Sequence, residues 1–263
     1  MGKDGQEVVC FKNLKSSIGG KYVNKMLRDF RHAYVVEEWE ESPDFLVEHG
    51  EKGIGVEHFV IDHSYSNSRA VSRIFDHNIW NVYNVHHSAL ENGVLDEDLA
   101  INDLQKEMQL AFDLIAEFDY EICMDQFKRV FDNHIRKIPS YLSNMQYKNK
   151  YLYFLIEYRS LLLGGVKCIA IRSDGAAVEV NANSIVFTER MVDIIEKHIG
   201  KLWGIIIQNY SFFDVGNTIQ SMVYLDMTSR ESLAKSLKEQ QIKVYKRFYL
   251  EVPRRNLRLI LEK

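Results

Sequence analysis

The chain has few prolines, which interrupt helices and strands, and few cysteines, which cross-link a fold. Its 263 residues include only three prolines and three cysteines. The cysteines, Cys10, Cys123 and Cys168, are odd in number and far apart, and none has the close spacing of a paired metal ligand. This pattern argues against both a disulfide framework and a zinc finger. The scarcity of proline leaves few natural hinges, and no Pro/Gly/Ser-rich linker marks a domain boundary.

Long hydrophobic runs are also missing. No segment approaches the ~18 consecutive apolar residues that a membrane-spanning helix needs, and the first residues lack the apolar centre of a signal peptide. We therefore expect a cytoplasmic protein without a membrane partner. Hydrophobic residues still make up 46% of the chain, which is enough to bury a full core.

The chain has no large excess of charge of either sign. Its net charge of -4 argues against an isolated DNA-binding domain, because such domains are strongly basic. The bases nevertheless concentrate towards the C-terminal end, where aromatic residues are interleaved with them and would stack on nucleobases. The alternative is a solvated strand edge with protective charges. The basic residues expected to bind nucleic acid are Lys243, Lys246, Arg247, Arg254, Arg255 and Arg258.

Several common catalytic signatures are absent from the sequence. It contains neither the Gly-x-Ser-x-Gly turn of a nucleophilic hydrolase nor a Walker loop. Among the nine histidines, the pair His58 and His63 and the adjacent pair His86 and His87 do not have a recognised zinc spacing. These absences argue against nucleophilic catalysis, nucleotide binding at a Walker loop, and zinc chemistry at a local motif.

Two short apolar runs each carry one carboxylate. Asp44 follows Pro43 at the start of the first run, and Glu57 lies inside the second run at residues 52–62. Gly50 and its neighbours favour a hairpin between them, which would place the two acids on adjacent strands. A carboxylate inside an apolar strand needs a partner, and two carboxylates together suit Mg²⁺. Alternation along the strand turns His58 to the face opposite Glu57.

The same residues resemble the signature of the PD-(D/E)XK nuclease superfamily. Pro43-Asp44 and the later Glu57-His58-Phe59 stand where that signature has its two acids, and the resemblance covers roughly residues 20 to 160. It implies that Asp44, Glu57 and the main-chain carbonyl of His58 bind Mg²⁺ or Mn²⁺. In the superfamily a lysine two residues after the second acid assists the attacking water. Phe59 occupies that position in this chain.

A later helical segment offers replacements for the missing lysine. Lys137 and Tyr141 are spaced to share one helix face, and His134 precedes Lys137 by about one turn. We assign the catalytic role to Lys137, with a solvated helix face as the alternative for this group. Lys52 is a poor choice because it falls on the opposite face of its strand from Glu57. Glu41 resembles the additional acid often found just before the Pro-Asp pair.

The resemblance implies an α/β fold with a restriction-endonuclease-like core, in which helices flank a mixed central sheet. The order of patterns agrees, with a helix at 21–31, an extended segment at 33–39 and then the two acidic strands. We expect a helix around 127–142 that breaks at Pro139, followed by a strand at 151–158.

The predicted organisation is a nuclease-like core with additions. The core spans residues 1–160 and is interrupted by a helical insertion at about 64–125. Residues 161–263 form an α/β extension that completes or flanks the core and ends in the basic segment. A helix starting after Ser229, which has the capping chemistry of a helix start, belongs to this extension.

These observations predict a metal-dependent nuclease that hydrolyses phosphodiester bonds. DNA is the expected substrate, RNA is left open, and so is assembly as a homodimer. In a second hypothesis the protein has the same fold but is catalytically inactive. It then binds a nucleic acid or a protein partner through its basic segment, the C-terminal residues from Lys235 onwards. A third is a structural or inhibitory protein of a mobile element that uses the fold as a scaffold.

Overall fold

The computed structural model describes residues 6–14, 20–36, 42–62, 118–160, 167–181, 185–211 and 219–251. Within these ranges the protein is a mixed α/β fold. The helices are α1 (Gln6–Asn13), α2 (Lys21–Met26), α3 (Arg28–His32), α4 (Tyr120–Arg136), α5 (Ile138–Asn144), α6 (Glu189–Glu196) and α7 (Arg230–Glu239). The strands are β1 (Tyr34–Val35), β2 (Phe45–His49), β3 (Lys52–Asp62), β4 (Asn149–Ser160), β5 (Lys167–Ile171), β6 (Ala177–Val180), β7 (Phe187–Thr188), β8 (Gly204–Ser211), β9 (Ile219–Asp226), β10 (Val244–Tyr245) and β11 (Arg247–Glu251).

A six-stranded mixed sheet forms the centre of the fold, in the order β1-β2-β3-β4-β8-β9. Strand β2 runs antiparallel to β1 and β3, the neighbours β3, β4 and β8 are parallel, and β9 is antiparallel to β8. Parallel neighbours require crossover connections. Helices α4 and α5 lie between β3 and β4 in the chain, and α6 lies between β4 and β8.

The expected hairpin is present. Its turn is tight, because His49 at the end of β2 pairs with Lys52 at the start of β3. Gly50 adopts a φ of 62°, a left-handed conformation that glycine reaches without steric cost. Strand β3 lies between β2 and β4 and is buried along most of its length, which explains its nearly continuous hydrophobic sequence.

Each face of the central sheet packs against its own helices. On the first face, Phe131 of α4, Tyr141 of α5 and Ile194 of α6 belong to one buried cluster with strand residues such as Phe154. On the second face, the buried cluster contains residues of α1, α2 and α3 together with Leu155. The side chains of the neighbouring residues Phe154 and Leu155 in β4 therefore pack on opposite faces of the sheet, as the alternation of a strand requires.

Several helix boundaries differ from the sequence-based expectations. The helix expected at 21–31 is two short helices, α2 and α3, which meet at Leu27. The helix expected around 127 begins at Tyr120, because Asp119 caps it by accepting hydrogen bonds from the N–H groups of Glu121 and Ile122. This start lies inside the 64–125 range given to the insertion, and residues 63–117 lie outside the described residues.

The break expected near Pro139 is confirmed. Helix α4 ends at Arg136 and α5 begins at Ile138, so the proline lies in the first turn of α5, where its missing N–H costs no helical bond. Ser229 caps α7 and accepts a hydrogen bond from the N–H of Ser232 at 3.1 Å, also as expected.

The C-terminal part of the chain contributes to the central sheet and to two small ones. Strands β8 and β9 extend the central sheet, β5 pairs with β6 and β11, and β7 pairs with β10. Among the described residues no helix combines the length and the apolar character needed to cross a bilayer.

Candidate active site

Glu57 lies near the middle of β3 on the first face of the sheet, and its side chain is buried. Its Oε1 accepts a hydrogen bond from the Tyr141 hydroxyl at 2.5 Å and lies 2.9 Å from Nδ1 of His134. Its Oε2 is buried and has no hydrogen-bond partner among the described residues. An ionised carboxylate only accepts, so Nδ1 of His134 carries the proton in this pair. Glu57 is therefore a buried carboxylate in which Oε1 has two hydrogen-bond partners and Oε2 has none among the described residues.

Asp44 precedes β2 and is placed beside Glu57 by the hairpin. The pair Phe45 and Val56 is the last in register, so the next position of each strand brings Asp44 opposite Glu57 on the first face. Oδ2 of Asp44 accepts a hydrogen bond of 2.7 Å from the backbone N–H of His58. The two acids that the sequence singled out thus lie at one site.

The Tyr141 phenol responds to both acids. Burial, then its hydrogen bond to Glu57, and then the negative charges of Glu57 and Asp44 raise the pKa of Tyr141 well above its ordinary value. The hydroxyl therefore stays protonated and remains a donor to Glu57 at any ordinary pH. The pKa of Tyr141 therefore depends on the charges of both acids.

The position of Asp44 is fixed because the chain just before it packs closely against β3 and the end of α5. A Cβ atom on Gly55 would lie 2.6 Å from Cγ of Pro43 and 2.8 Å from Sδ of Met145, so only glycine admits both neighbours. The side-chain amide of Asn144 donates a 2.8 Å hydrogen bond to the carbonyl oxygen of the residue before Pro43. Asp44 follows directly, so the end of α5 and the surface of β3 fix its place.

The ring of Phe59 packs against a histidine of the following helix. Phe59 lies on the same face as Glu57, and its ring stacks on the His134 ring with centroids 4.1 Å apart and planes 9° from parallel. The His134 side chain is 18% exposed, so it connects the buried Glu57 to the surface.

The predicted helical group is only partly assembled at the acids. His134 and Tyr141 reach Glu57 from α4 and α5 respectively, whereas Lys137 is exposed at the junction of the two helices. A shared face for all three requires one continuous helix, and the break after Arg136 changes which side chains face together. The catalytic role of Lys137 stays a prediction, as does the role of the His58 carbonyl as a metal ligand. Glu41 lies outside the described residues.

The basic segment lies beside the other end of α4. Lys243, Lys246 and Arg247 are exposed, and Arg254, Arg255 and Arg258 lie outside the described residues. The Tyr120 hydroxyl donates to the main-chain oxygen of Lys246 at 3.4 Å. Helical rise separates Tyr120 from His134 by roughly 20 Å, which also gives the scale of the distance from this segment to the acids.

One of the aromatic residues in this segment is not available for stacking on bases. Phe248 is buried, and its ring packs against Phe118 and Tyr120 with centroids 5.2 Å and 5.8 Å away. Tyr249 is 40% exposed and is the most exposed of the three aromatic residues at 245, 248 and 249. The alternation of β11 explains the difference, because neighbouring side chains point to opposite sides.

A second polar cluster, which the sequence did not predict, lies on the other face of the sheet. Cys10, His58 and Glu157 are buried there and approach one another closely. One feature of the sequence does point to Glu157: like Glu57, it is a carboxylate inside an apolar strand and needs a partner when buried. Its partners could not be read from the sequence, since Cys10 is 147 positions away.

Comparison of the chain with protein-family models, with curated proteins and with solved structures finds no match. The chemistry of the site must therefore be inferred from its residues. Two adjacent carboxylates suit a hard divalent cation, since one of them has a buried oxygen without a hydrogen-bond partner among the described residues. A partly exposed histidine beside them suits proton transfer.

Proposed function

We propose that this protein is a metal-dependent phosphodiesterase that acts on nucleic acid, with DNA as the expected substrate. The observation that carries the proposal is the pair Asp44 and Glu57, held together by the hairpin, with Oε2 of Glu57 buried and lacking a hydrogen-bond partner among the described residues. A buried carboxylate oxygen without a partner is costly unless a ligand completes its environment.

The order of elements supports a restriction-endonuclease-like core. Helices α2 and α3 precede β1, β2 and β3, and α4 and α5 then lead to β4. This succession of helix, three strands, helix and strand is the one expected from the resemblance to the PD-(D/E)XK superfamily. Asp44 directly precedes β2 and Glu57 lies inside β3, which are the places that the resemblance implies for the two acids.

The donor set fits Mg²⁺ or Mn²⁺. Asp44 and Glu57 offer carboxylate oxygens, and the main-chain carbonyl of His58 is the third ligand that the resemblance implies. Oxygen ligands of this kind suit hard divalent cations. When bound, such a cation polarises a phosphoryl oxygen and makes water more acidic.

The chain's own contribution to proton transfer centres on His134. Its Nδ1–H donates to Glu57, which fixes the tautomer and leaves Nε2 as the basic nitrogen. Stacking on Phe59 fixes the plane of the ring. His134 would accept the proton of the attacking water, with Lys137 as the second candidate for assisting that water. Tyr141 holds the Glu57 carboxylate in place by its hydrogen bond.

The position of the basic segment suits a polymeric substrate. A distance of roughly 20 Å from the acids corresponds to about six nucleotide steps at 3.4 Å per step along a strand. Lys243, Lys246 and Arg247 are exposed and would bind phosphates away from the cleaved bond. Replacing these three with alanine should weaken binding and flatten its salt dependence, by a slope of about 0.9 for each phosphate that the protein no longer neutralises.

A second candidate function is a nuclease-like protein that binds a partner without cleaving it. The observation in its favour is that Phe59 fills the lysine position and that Oε1 of Glu57 already has two protein partners. In this case Glu57, His134 and Tyr141 form a polar network that stabilises the junction of β3 with α4 and α5.

A cleavage assay distinguishes the two functions. The purified full-length protein is incubated with Mn²⁺ or Mg²⁺ and with supercoiled plasmid, single-stranded DNA or RNA. We expect cleavage by the wild type, its loss in Asp44→Asn and Glu57→Gln, and its retention in Glu179→Gln, which changes an exposed carboxylate on β6. Absence of wild-type cleavage on all three substrates, or full activity in both site variants, would contradict the proposed phosphodiesterase.

A further inference from the structure

The buried cluster on the second face of the sheet has its own chemistry. Cys10 comes from α1, His58 from β3 and Glu157 from β4, and their exposed fractions are 0%, 7% and 1%. One ligand atom from each, the thiol sulfur, a ring nitrogen and a carboxylate oxygen, lies within 4.8 Å of the other two. Three ligand types that bind transition metals thus meet in a space closed to solvent.

The contacts within the cluster leave one group unsatisfied. Nε2 of His58 lies 3.4 Å from Oε2 of Glu157, which is within ion-pair distance, yet it lacks hydrogen-bond geometry and any other hydrogen-bond partner among the described residues. The Cys10 thiol donates to the same Oε2 at a long distance of 3.7 Å. A buried ring nitrogen directed at this cluster without a hydrogen bond is costly unless something binds it.

We propose that Cys10, His58 and Glu157 form a binding site for Zn²⁺. Zinc bonds of about 2.0 Å to oxygen and nitrogen and about 2.3 Å to sulfur, at tetrahedral angles, place ligand atoms roughly 3.3 to 3.5 Å apart. The observed separations of 3.4 Å and 3.7 Å are close to these edges. The Cys10 and His58 ligand atoms lie within 4.8 Å of each other, so bringing them to a zinc-bound separation needs a shift of at most about 1.3 Å.

The thiol and imidazole ligands favour Zn²⁺ over Mg²⁺, the cation proposed for the site on the first face. Thiolate and imidazole suit borderline-soft metals such as Zn²⁺, whereas Mg²⁺ prefers oxygen ligands. Binding would release the thiol proton of Cys10 and place a positive charge between the thiolate and the carboxylate, which offsets the cost of burying both. Three protein ligands leave one position of the tetrahedron for water or another donor.

The ligand from α1 is held near the sheet by contacts that do not involve a metal. The side-chain amide of Gln208 donates a 2.9 Å hydrogen bond to the main-chain oxygen of Cys10. The next residue, Phe11, stacks on Phe45 of β2 with ring centroids 4.3 Å apart. The site is therefore largely formed before any ion binds, which lowers the cost of binding.

His58 would connect the two metal sites. Its side chain belongs to the zinc cluster, and its backbone N–H donates to Asp44 on the first face. Zinc would thus fix a residue that positions one of the two proposed magnesium ligands. The zinc site itself does not depend on the proposed nuclease activity.

Cobalt titration of the full-length protein tests the site directly, because a Co²⁺–thiolate bond gives a charge-transfer absorption that oxygen ligands do not. We expect the wild type to show this band, to lose it when Zn²⁺ is added, and to bind about one Zn²⁺ per chain. Cys10→Ser should lack the band. Cys123→Ser and Cys168→Ser, which change the other buried cysteines, should keep it. Asp44→Asn should also keep it, which separates this site from the one on the first face.

A second readout covers the case in which a Cys10 variant folds poorly. Zinc at about one hundred times its Kd should raise the wild-type Tm by about 5 °C, and Glu157→Gln should reduce this shift to less than half. A wild-type protein without a charge-transfer band, or a band that persists unchanged in Cys10→Ser, would overturn the proposal. So would a wild-type Tm that zinc does not raise.

Discussion

The imidazole of His134 lies flat against the phenyl ring of Phe59, with ring centroids 4.1 Å apart, and its Nδ1 is 2.9 Å from the Glu57 carboxylate. The aromatic residue at the lysine position of the resembled superfamily thus supports a titratable group delivered by the following helix. In the proposed phosphodiesterase this arrangement replaces a lysine on the strand with a histidine from α4.

We expect His134→Ala to lower the cleavage rate by about 10² to 10⁴, the usual contribution of a general base. Lys137→Ala should lower it by less than about tenfold, because Lys137 is exposed and the bonds to Oε1 of Glu57 come from His134 and Tyr141. Single-turnover cleavage by the purified variants measures both. Lys128→Ala, which changes an exposed base on the same helix, is the control. A larger loss in Lys137→Ala than in His134→Ala would return the role to the lysine.

Tyr141→Phe should destabilise the fold by about 1 to 3 kcal/mol, because it removes a donor to a buried carboxylate and leaves the rest of the side chain intact. Urea unfolding followed by circular dichroism gives the difference in the free energy of unfolding. Tyr34→Phe is the matched control, since Tyr34 is 79% exposed and the change should stay within about 0.5 kcal/mol. Equal stabilities of the two variants would show that the Tyr141 hydroxyl does not support Glu57.

Gly55→Ala should impair both stability and cleavage. The added methyl group would meet Pro43 at 2.6 Å and Met145 at 2.8 Å, which pushes the segment carrying Asp44 away from β3 at a cost of about 1 to 3 kcal/mol. Gly20→Ala, where a Cβ atom would meet nothing within 4 Å, provides the control. Denaturant unfolding and the cleavage rate are measured together. A Gly55→Ala variant as stable and active as the Gly20→Ala variant would contradict this role of Gly55.

Stability should fall at alkaline pH because burial raises the pKa of several weak acids. The pKa of Cys168 rises from 9.0 to about 12, and burial also raises the pKa values of Tyr158 and Tyr224. Each group keeps its proton to higher pH in the folded protein than in the unfolded chain. Its stabilising contribution is therefore complete below the unfolded pKa and is lost as pH rises through the folded pKa.

Urea unfolding at a series of pH values between about 8 and 11 measures this decline. Cys168→Ser removes one of the titrating groups, so its free energy of unfolding should fall less steeply with pH than that of the wild type. A wild-type free energy that is constant over this range, or that rises, would contradict the burial of these protonated groups.

The parts of the fold that depend on local pattern could be predicted from the sequence. The β2–β3 hairpin follows from two apolar runs around Gly50, and the opposite facing of Glu57 and His58 follows from the alternation of a strand. The break near Pro139 was predictable for the same reason, since proline acts on its own turn of helix.

The arrangement of the site was predictable only in part. The sequence pattern indicates His134 and Tyr141 as site candidates, but they converge on Glu57 because α4 and α5 are separate helices and not because they share one helix face. Apolar periodicity alone predicts a later start for α4 than Tyr120, because the start is fixed by the Asp119 side chain that caps the helix. The cluster of Cys10, His58 and Glu157 joins three distant elements, and a single sequence does not encode such proximity in its spacing.

Calorimetric titration of Mn²⁺ into the full-length protein examines the pair of acids without relying on catalysis. We expect one binding event that Glu57→Gln and Asp44→Asn each weaken at least tenfold, while Glu179→Gln, which changes an exposed carboxylate on β6, leaves it unchanged. Circular dichroism of the same samples should show that the site variants remain folded. A wild type that binds no Mn²⁺, or variants at Asp44 and Glu57 that bind it as the wild type does, would contradict the assignment of these two acids as a metal site.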